Sequence, residues 1–150
     1  MRIPVLSLSF IFLVGLVCLH VIGTKPENPV RIGIDGLSSE QVYDLLSQCK
    51  ERTDIQVVGI VETDKQRAQE LSDQYGFDMD IVYDDLVTMI EKTNPEGVVA
   101  FNSKHDDHLN TAEVCAARGI HVMMESPLAV SADHAGKIVG LVSRGRGEKL

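Results

Sequence analysis

Stretches typical of β-strands alternate with stretches typical of helices along the chain from Val30 to about residue 143. The strand-like stretches are short and rich in β-branched residues, which indicates strands buried on both faces. The helix-like stretches place apolar residues three and four positions apart, as one buried helix face requires. Because the connections are short, this alternation predicts right-handed crossovers and a parallel sheet. We therefore predict a three-layer α/β fold with helices on both faces of the sheet.

Five strands and five helices are predicted within this domain, residues 30–143. The strands are Val30–Ile34, Ile55–Val61, Ile81–Tyr83, Gly97–Phe101 and Ile120–Met124. The helices are Ser38–Cys49, Asp64–Tyr75, Asp84–Lys92, Asp106–Arg118 and Ser131–Ser143. Ser38 or Ser39, Asp84 and Ser131 are suitable N-caps, and Gly76 and Gly119 are suitable C-terminal caps. An open parallel sheet of this kind is of Rossmann type and binds its ligands beyond the carboxyl ends of the strands.

The first 24 residues carry one basic residue, Arg2, and no acidic residue. A long apolar run follows Arg2, which predicts a secretory signal peptide and an exported, periplasmic or extracellular domain. An uncleaved membrane anchor is the alternative, because an apolar run of about 18 residues is borderline for crossing a bilayer. Residues 25–29, with two prolines, are predicted to be a linker, and residues 144–150 a loose tail.

The charge and the cysteines exclude some classes of function. The chain has 14 Lys and Arg against 22 Asp and Glu, a balance that repels phosphate backbones and disfavours a nucleic-acid partner. Its three cysteines form no CxxC pair, so no zinc site is predicted. Cys49 and Cys115 fall in predicted helices and are interpreted as buried small apolar residues, with a disulfide left open.

The turn after the first strand is the first candidate for nucleotide binding. A dinucleotide fingerprint would place glycines at positions 36, 38 and 41, but only Gly36 is present, with Ser38 and Gln41 at the other positions. The second glycine lets the phosphate approach the backbone, and the third lets helix and strand pack closely. Asp35 and Glu40 add negative charge near the phosphate position. An ordinary βα turn is the equally weighted alternative.

Glu62 ends the second predicted strand, 26 residues after Gly36. An acid near this spacing can accept hydrogen bonds from the adenosine ribose hydroxyls, which favours NAD over NADP. The alternative is a helix-capping or surface acid. Lys65 and Arg67 lie close enough in sequence to leave NADP open.

Two further polar segments follow strands of the predicted sheet. Asn102 to His108 follows the fourth strand, and its two histidines and two aspartates suggest either a metal site or, as the favoured interpretation, a polar loop that caps a helix. Glu125 follows the fifth strand, and the restricted backbone before Pro127 gives a defined turn that presents it. No paired nucleophile and base is present, so hydrolase chemistry has little support.

The order of these segments resembles the Gfo/Idh/MocA family, the group of glucose–fructose oxidoreductase and inositol dehydrogenase. The likeness covers about residues 30–142, and its most specific part is Gly119–Ala135, similar to the family's GxHVxxEKPLAxSxxxA segment. Tyr83-Asp84-Asp85-Leu86 is also typical. The resemblance implies an NAD(P)-dependent oxidoreductase that moves hydride between nicotinamide and a sugar, polyol or related alcohol.

The resemblance also implies roles for individual residues. It places Gly36, Leu37 and Ser38 at the pyrophosphate and Glu62 at the adenosine ribose, with NAD as the expected cofactor and NADP as the alternative. It places three residues and the proline of the matching turn on the nicotinamide side: Asn102, His108, Glu125 and Pro127. No catalytic residue can be assigned.

Three departures from the family pattern favour an alternative to an active oxidoreductase. Ser126 stands where the family has a lysine that contacts cofactor and substrate, and a serine supplies no cation. The glycine fingerprint is incomplete. The second, substrate-binding domain of the family is missing from the 150 residues. A truncated, catalytically inactive nucleotide-binding or interaction domain is therefore the second hypothesis, and self-association is expected through the face that the missing domain would cover.

Overall fold

The structure, a computed structural model, describes residues 28–101 and 105–145. The strands within these ranges are β1 (Val30–Asp35), β2 (Ile55–Val61), β3 (Val82–Tyr83), β4 (Gly97–Ala100) and β5 (His121–Met124). The helices are α1 (Gln41–Glu51), α2 (Lys65–Tyr75), α3 (Leu86–Thr93), α4 (His105–Ala116) and α5 (Ala132–Gly145), and a 3₁₀ turn spans Met79–Ile81. The predicted leader, most of the predicted linker and residues 146–150 of the predicted tail lie outside the described residues.

All five strands belong to one parallel sheet with the order β3-β2-β1-β4-β5. β1 pairs with β2 on one side and with β4 on the other. The connections that leave β1 and β4 therefore diverge in opposite directions, and a switch point opens between the carboxyl ends of these two strands. The predicted Rossmann-type α/β fold is confirmed.

The two faces of the sheet carry separate apolar cores because successive strand residues point to opposite faces. On one face, Ile34, Ile60 and Val99 pack with residues of α1 and α2 such as Val42 and Leu71. On the other face, side chains from the sheet and from α3 and α4 form a second core of Leu86, Met89, Ile90, Val98 and Cys115. Helices therefore cover both faces, as the alternating pattern predicts.

Met89 packs against two glycines on neighbouring strands. An added Cβ at Gly33 would lie 2.6 Å from Met89 Cε, and one at Gly59 would lie 2.5 Å from Met89 Cγ. Both distances are too short for carbon atoms that are not bonded, so any larger residue at either position must displace the methionine. The two glycines thus allow α3 to approach the centre of the sheet.

The first helix begins three residues later than predicted. α1 starts at Gln41 and not at Ser38, and Glu40 at its N-cap makes no side-chain capping hydrogen bond. Ser39 forms a turn ahead of the helix, in which its carbonyl accepts the Val42 N–H and its hydroxyl accepts the Gln41 N–H. Serine side chains compete in this way with helical backbone bonds, which explains the later start.

The third helix is also capped by a different residue from the one predicted. Asp85 and not Asp84 caps α3, because its carboxylate accepts the Thr88 N–H at 2.8 Å. Asp84 instead lies 2.6 Å from Lys65 Nζ in an exposed ion pair. The other predicted element boundaries differ from the observed ones by two residues or fewer.

Two other predicted caps are confirmed. The hydroxyl of Ser131 accepts the His134 N–H at the start of α5. Gly76 ends α2 in the left-handed region, with φ of 78°, a conformation that glycine adopts without steric cost.

The cysteine prediction is confirmed for one residue and only in part for the other. Cys115 is fully buried in the core under α4, whereas Cys49 on α1 is half-buried, and both are free thiols. Half-burial of Cys49 follows from its place near the end of α1, where the helix leaves the sheet. Among the residues that the structure describes, no helix is both long and apolar enough to cross a membrane.

β5 lies at the edge of the sheet and carries an exposed apolar surface. Met123 on β5 is 67% exposed, and the nearby loop and α5 add exposed side chains of the same kind: Leu128, Val130, Val139 and Val142. A cavity of about 610 Å³ beside this edge is lined by apolar side chains of α4, β5 and α5. An exposed apolar surface therefore lies beside the β5 edge of the described sheet.

Candidate nucleotide site

The switch-point crevice is closed at its base by contacts between the ends of β1 and β4. The Phe101 N–H donates to the Asp35 carbonyl at 2.8 Å, which holds the two strand ends together. Above this bond, the Ser38 hydroxyl donates to the Phe101 carbonyl at 3.4 Å. The side chain at the second fingerprint position therefore spans the crevice in which a pyrophosphate would lie.

Glu62 follows β2 beside the turn after β1 and is not a surface acid. Its side chain is only 7% exposed. The carboxylate accepts the Leu37 N–H at 3.3 Å and the Asp64 N–H at 2.9 Å. The first contact joins the turn after β1 to the end of β2, which is the place where an acid meets an adenosine ribose in this fold. Glu62 does not cap the following helix, because Asp64 is the N-cap of α2 and, at this helix start, Glu62 accepts the N–H of Asp64 itself.

The two cations nearest to Glu62 are already engaged by acids. Arg67 Nη1 lies 3.3 Å from the Glu62 carboxylate, and Arg67 Nη2 lies 3.7 Å from Asp64. Lys65 Nζ pairs with Asp84 and donates to the Glu62 carbonyl at 3.3 Å. Both cations are therefore compensated locally and do not form a patch of unpaired positive charge.

Gly36 and Leu37 form the floor of the turn after β1. Gly36 has φ of 93°, a value at which a side chain would be strained, and its N–H donates to the Val61 carbonyl at 3.0 Å. Leu37 is fully buried, and its backbone N–H is already bonded to the Glu62 carboxylate. The structure thus brings the predicted residues Gly36, Leu37, Ser38 and Glu62 together.

A buried polar contact beneath the crevice was not foreseen from the sequence. Asp35 is 6% exposed, and its carboxylate accepts a hydrogen bond from the buried Thr111 hydroxyl on α4. The sequence interpretation placed the Asp35 charge toward the phosphate, but this bond turns its side chain toward α4. The period of two in β1 could have shown it, because Asp35 shares a face with Gly33, which lies against Met89.

The same side of α4 carries His108 and Cys115, which lie three residues before and four residues after Thr111. His108 is 3% exposed and therefore lies inside the domain, below the crevice. Burial, and after it the negative charge of Asp35, raise the pKa of the Cys115 thiol to about 11, while Arg118 lowers it in part. Cys115 is therefore a neutral core residue at ordinary pH.

The remaining predicted site residues lie after β4 and β5. The Glu125 N–H donates to the Ala100 carbonyl at 3.3 Å, so this half-buried residue follows β5 directly beside the end of β4. Pro127 and Ser126 are exposed. Asn102 and the side chains of residues 105–107 lie outside what the structure describes. Within the described part, His, Cys, Asp and Glu side chains form no group of three that could hold a metal.

The comparisons with known proteins agree with this architecture. The family model "Oxidoreductase family, NAD-binding Rossmann fold" matches residues 30–146. A search of curated proteins finds no match. Solved structures with the same fold include myo-inositol 2-dehydrogenase from Lactobacillus plantarum, which is 15% identical with a TM-score of 0.69 over 81% of this chain and 35% of that one.

Two further structures contain bound nucleotides. The WlbA dehydrogenase from Bordetella pertussis, in complex with NADH and UDP-GlcNAcA, is 21% identical with a TM-score of 0.65 over 79% of this chain and 35% of that one. A mutant 3-ketoreductase from Actinomadura kijaniata, in complex with TDP-benzene and NADP, is 21% identical with a TM-score of 0.63 over 82% of this chain and 38% of that one.

These identities are low enough that the structural likeness shows the fold alone, and the chain spans about a third of the length of the structures it matches. The family match covers 117 of 150 residues, counted from 30 to 146. The chain therefore belongs to the Gfo/Idh/MocA oxidoreductase family, as its NAD-binding Rossmann domain.

Proposed function

We propose that this domain is the nucleotide-binding half of an NAD(P)-dependent oxidoreductase that transfers hydride to or from a sugar, polyol or related alcohol. The observation that carries the proposal is the position of Glu62, whose buried carboxylate at the end of β2 accepts the Leu37 amide of the turn after β1. A parallel α/β sheet binds the adenosine ribose at this place. Membership of an NAD-binding oxidoreductase family supports the same assignment.

The residues of the crevice fit the adenosine end of such a cofactor. Glu62 has carboxylate oxygens that accept hydrogen bonds, and ribose hydroxyls are donors of the matching kind. Gly36 has no side chain at this turn, which leaves room beside the ribose. When bound, the nicotinamide of the cofactor would accept or supply the hydride, and the segment after β5 with Glu125 and Pro127 would lie on that side.

NAD is the favoured cofactor on electrostatic grounds. A 2′-phosphate in place of the ribose hydroxyl would stand next to the Glu62 carboxylate and be repelled by it. Arg67 and Lys65 could offset that repulsion only by leaving Asp64, Glu62 and Asp84, with which they pair. NADP is therefore the weaker candidate.

The substrate class rests on the family and on relatives, one of which is an inositol dehydrogenase and another a dehydrogenase with a bound sugar nucleotide. The solved relatives are about three times longer than the matched region, so a complete substrate site needs groups beyond the described residues. We propose that those groups belong to a second domain.

A second candidate function is a catalytically inactive nucleotide-binding or interaction domain. Ser126 favours it, because an exposed serine stands at the position at which the family carries a lysine. A hydroxyl cannot supply the positive charge that a lysine offers to cofactor and substrate. This candidate retains the nucleotide site around Glu62 and loses only the chemistry.

Two predictions from the sequence remain proposals. The first is export directed by the leader, which would place the domain in the periplasm or outside the cell. N-terminal sequencing of the protein from the extracellular or periplasmic fraction would show cleavage near Thr24 if the proposal holds. The full-length N-terminus in the cytoplasmic fraction would contradict it.

The second is self-association through the face that a second domain would cover, and we propose that the apolar surface around the β5 edge belongs to that face. Exposed apolar side chains and unpaired strand edges promote contacts between copies. Met123 and its exposed neighbours supply that surface here.

The cofactor proposal is tested by titrating the purified protein with NADH and with NADPH while nicotinamide fluorescence is recorded. We expect saturable NADH binding that weakens about tenfold in Glu62→Ala, as the loss of a charged hydrogen-bond acceptor predicts. Glu70→Ala is the matched control, because Glu70 is an exposed acid on α2 with only a Gln66 contact. Binding that is equal in all three proteins, or is absent from folded protein, contradicts the proposal.

A further inference from the structure

The ribose side of the crevice carries an acceptor that suits a ligand, whereas the pyrophosphate side lacks the features that bind a phosphate. Glu62 lies buried on the ribose side with its carboxylate held by backbone amides. On the phosphate side, a dinucleotide site requires bare backbone, available N–H donors at the helix start and little negative charge. The first βα unit departs from each of these three requirements.

Backbone access is reduced by Ser38. Its hydroxyl reaches the Phe101 carbonyl across the mouth of the crevice at 3.4 Å. A glycine here would leave the strand ends open to the phosphate oxygens. The serine side chain instead occupies that approach.

Several N–H donors at the start of α1 already have acceptors within the protein. The Leu37 N–H is taken by Glu62, and the Gln41 N–H by the Ser39 hydroxyl. The Val42 and Tyr43 N–H groups donate to the carbonyls of Ser39 and Glu40. An incoming pyrophosphate would have to replace these bonds to use those four N–H groups and would gain little from them.

The charge of the same unit is unfavourable for an anion. The segment from residue 32 to residue 49 contains no lysine, arginine or histidine, and its exposed acids are Glu40 and Asp44. Glu40 is exposed at the N-cap of α1, where the helix dipole would otherwise attract a phosphate. A pyrophosphate carries two negative charges, so the unit repels it.

We infer, on the basis of the proposed nucleotide site, that the protein binds the adenosine moiety through Glu62. The pyrophosphate adds nothing to the affinity of the nucleotide. The ligand class that suits the site best is therefore an adenine nucleoside or a nucleotide held by its nucleoside end. NADH binds through its adenosine half, with an affinity no higher than that of adenosine itself.

Calorimetric titration of the purified protein with adenosine, ADP and NADH tests this inference. We expect dissociation constants for adenosine and ADP within about threefold of each other, where a phosphate-binding site would favour ADP by about tenfold or more. Raising the salt from about 0.02 M to about 0.5 M should leave adenosine binding unchanged and strengthen ADP binding, because screening weakens repulsion.

Two variants sharpen the test. Glu40→Gln should tighten ADP binding about threefold without changing adenosine binding, since it removes one repelling charge near the phosphate. Glu51→Gln is the matched control, because it makes the same change at the far end of α1. Unchanged ADP affinity in Glu40→Gln would overturn the inference.

The outcomes separate the inference from the proposed function. ADP binding that exceeds adenosine binding tenfold, or that weakens with salt, overturns the inference and leaves the nucleotide site intact. Failure of adenosine and NADH alike to bind the folded protein overturns both. Equal adenosine and ADP binding that is lost in Glu62→Ala supports both.

Discussion

The carboxylate of Glu62 accepts the backbone N–H of Leu37 at 3.3 Å, across the gap between the ends of β2 and β1. This contact fixes an acid from one βα unit over the turn of the preceding unit. Because the acid is buried and the turn is backed by β1 in the centre of the sheet, the geometry is stable without ligand. A nucleotide ribose therefore meets a preformed acceptor.

The buried contact between Thr111 and Asp35 is expected to contribute to stability. Thr111→Val removes the hydroxyl that donates to the Asp35 carboxylate and keeps the side-chain shape. Removing this donor from the buried Asp35 carboxylate should lower the free energy of unfolding by about 1–3 kcal/mol. Urea denaturation measures the loss, with Thr63→Val at an exposed position as the control. Equal stability of the two variants would show that the hydroxyl contributes nothing.

Alanine substitutions at Gly59 and Gly136 should change stability in opposite directions, because Gly59 but not Gly136 packs against Met89. Gly59→Ala places a Cβ 2.5 Å from Met89 Cγ and should destabilise the fold by about 1–3 kcal/mol through overpacking. Gly136→Ala, with no atom within 4 Å of the added Cβ, should stabilise α5 by about 0.5–1 kcal/mol through helix propensity.

Thermal denaturation distinguishes the loss of stability in Gly59→Ala from the gain in Gly136→Ala. The cost of Gly59→Ala should also shrink when Met89 is replaced by alanine in the same protein, because the two substitutions are coupled. Additive effects of the two substitutions would argue against the contact.

The fold was predictable from the sequence because its elements depend on local pattern. The β-branched run Ile55–Val61 and the glycine after Tyr75 mark a strand and a helix end wherever they occur. The start of α1 was not predictable, since Ser38 and Ser39 are typical caps but the Ser39 turn delays the helix to Gln41, with Glu40 at the N-cap. Ser38 reaches Phe101 across 63 positions of chain, and a contact of that separation depends on topology.

Alkaline pH should weaken the fold through Cys115. The buried thiol ionises near pH 11 and an unperturbed one near pH 9.0, so the unfolded state loses its proton first. The stabilising contribution of the protonated thiol is complete below pH 9.0 and is lost as pH rises toward 11. The free energy of unfolding of the native protein should therefore fall relative to Cys115→Ala across this range.

Urea denaturation at several pH values measures this difference. Cys49→Ala, at a half-buried position, serves as the comparison. A difference in the free energy of unfolding between the native protein and Cys115→Ala that stays the same at every pH would contradict the raised pKa of Cys115.

Self-association should depend on the β5 edge. Met123→Lys places a charge on the exposed apolar surface and should lower the average mass in light scattering, because an edge charge opposes strand pairing. Val30→Lys changes a comparably exposed apolar residue at the start of the central strand β1 and should leave the mass unchanged. A native protein that stays monomeric at high concentration would rule out this interface.

The most direct test of the nucleotide site is the map of backbone amide shifts when NADH is added to the isotopically labelled protein. We predict that the largest shifts fall at Gly36, Leu37, Ser38 and Glu62, and that the same shifts need about tenfold more NADH in Glu62→Ala. Shifts confined to the apolar cavity lined by Val122, Ile138 and Leu141, or no shifts in a folded protein, would contradict it.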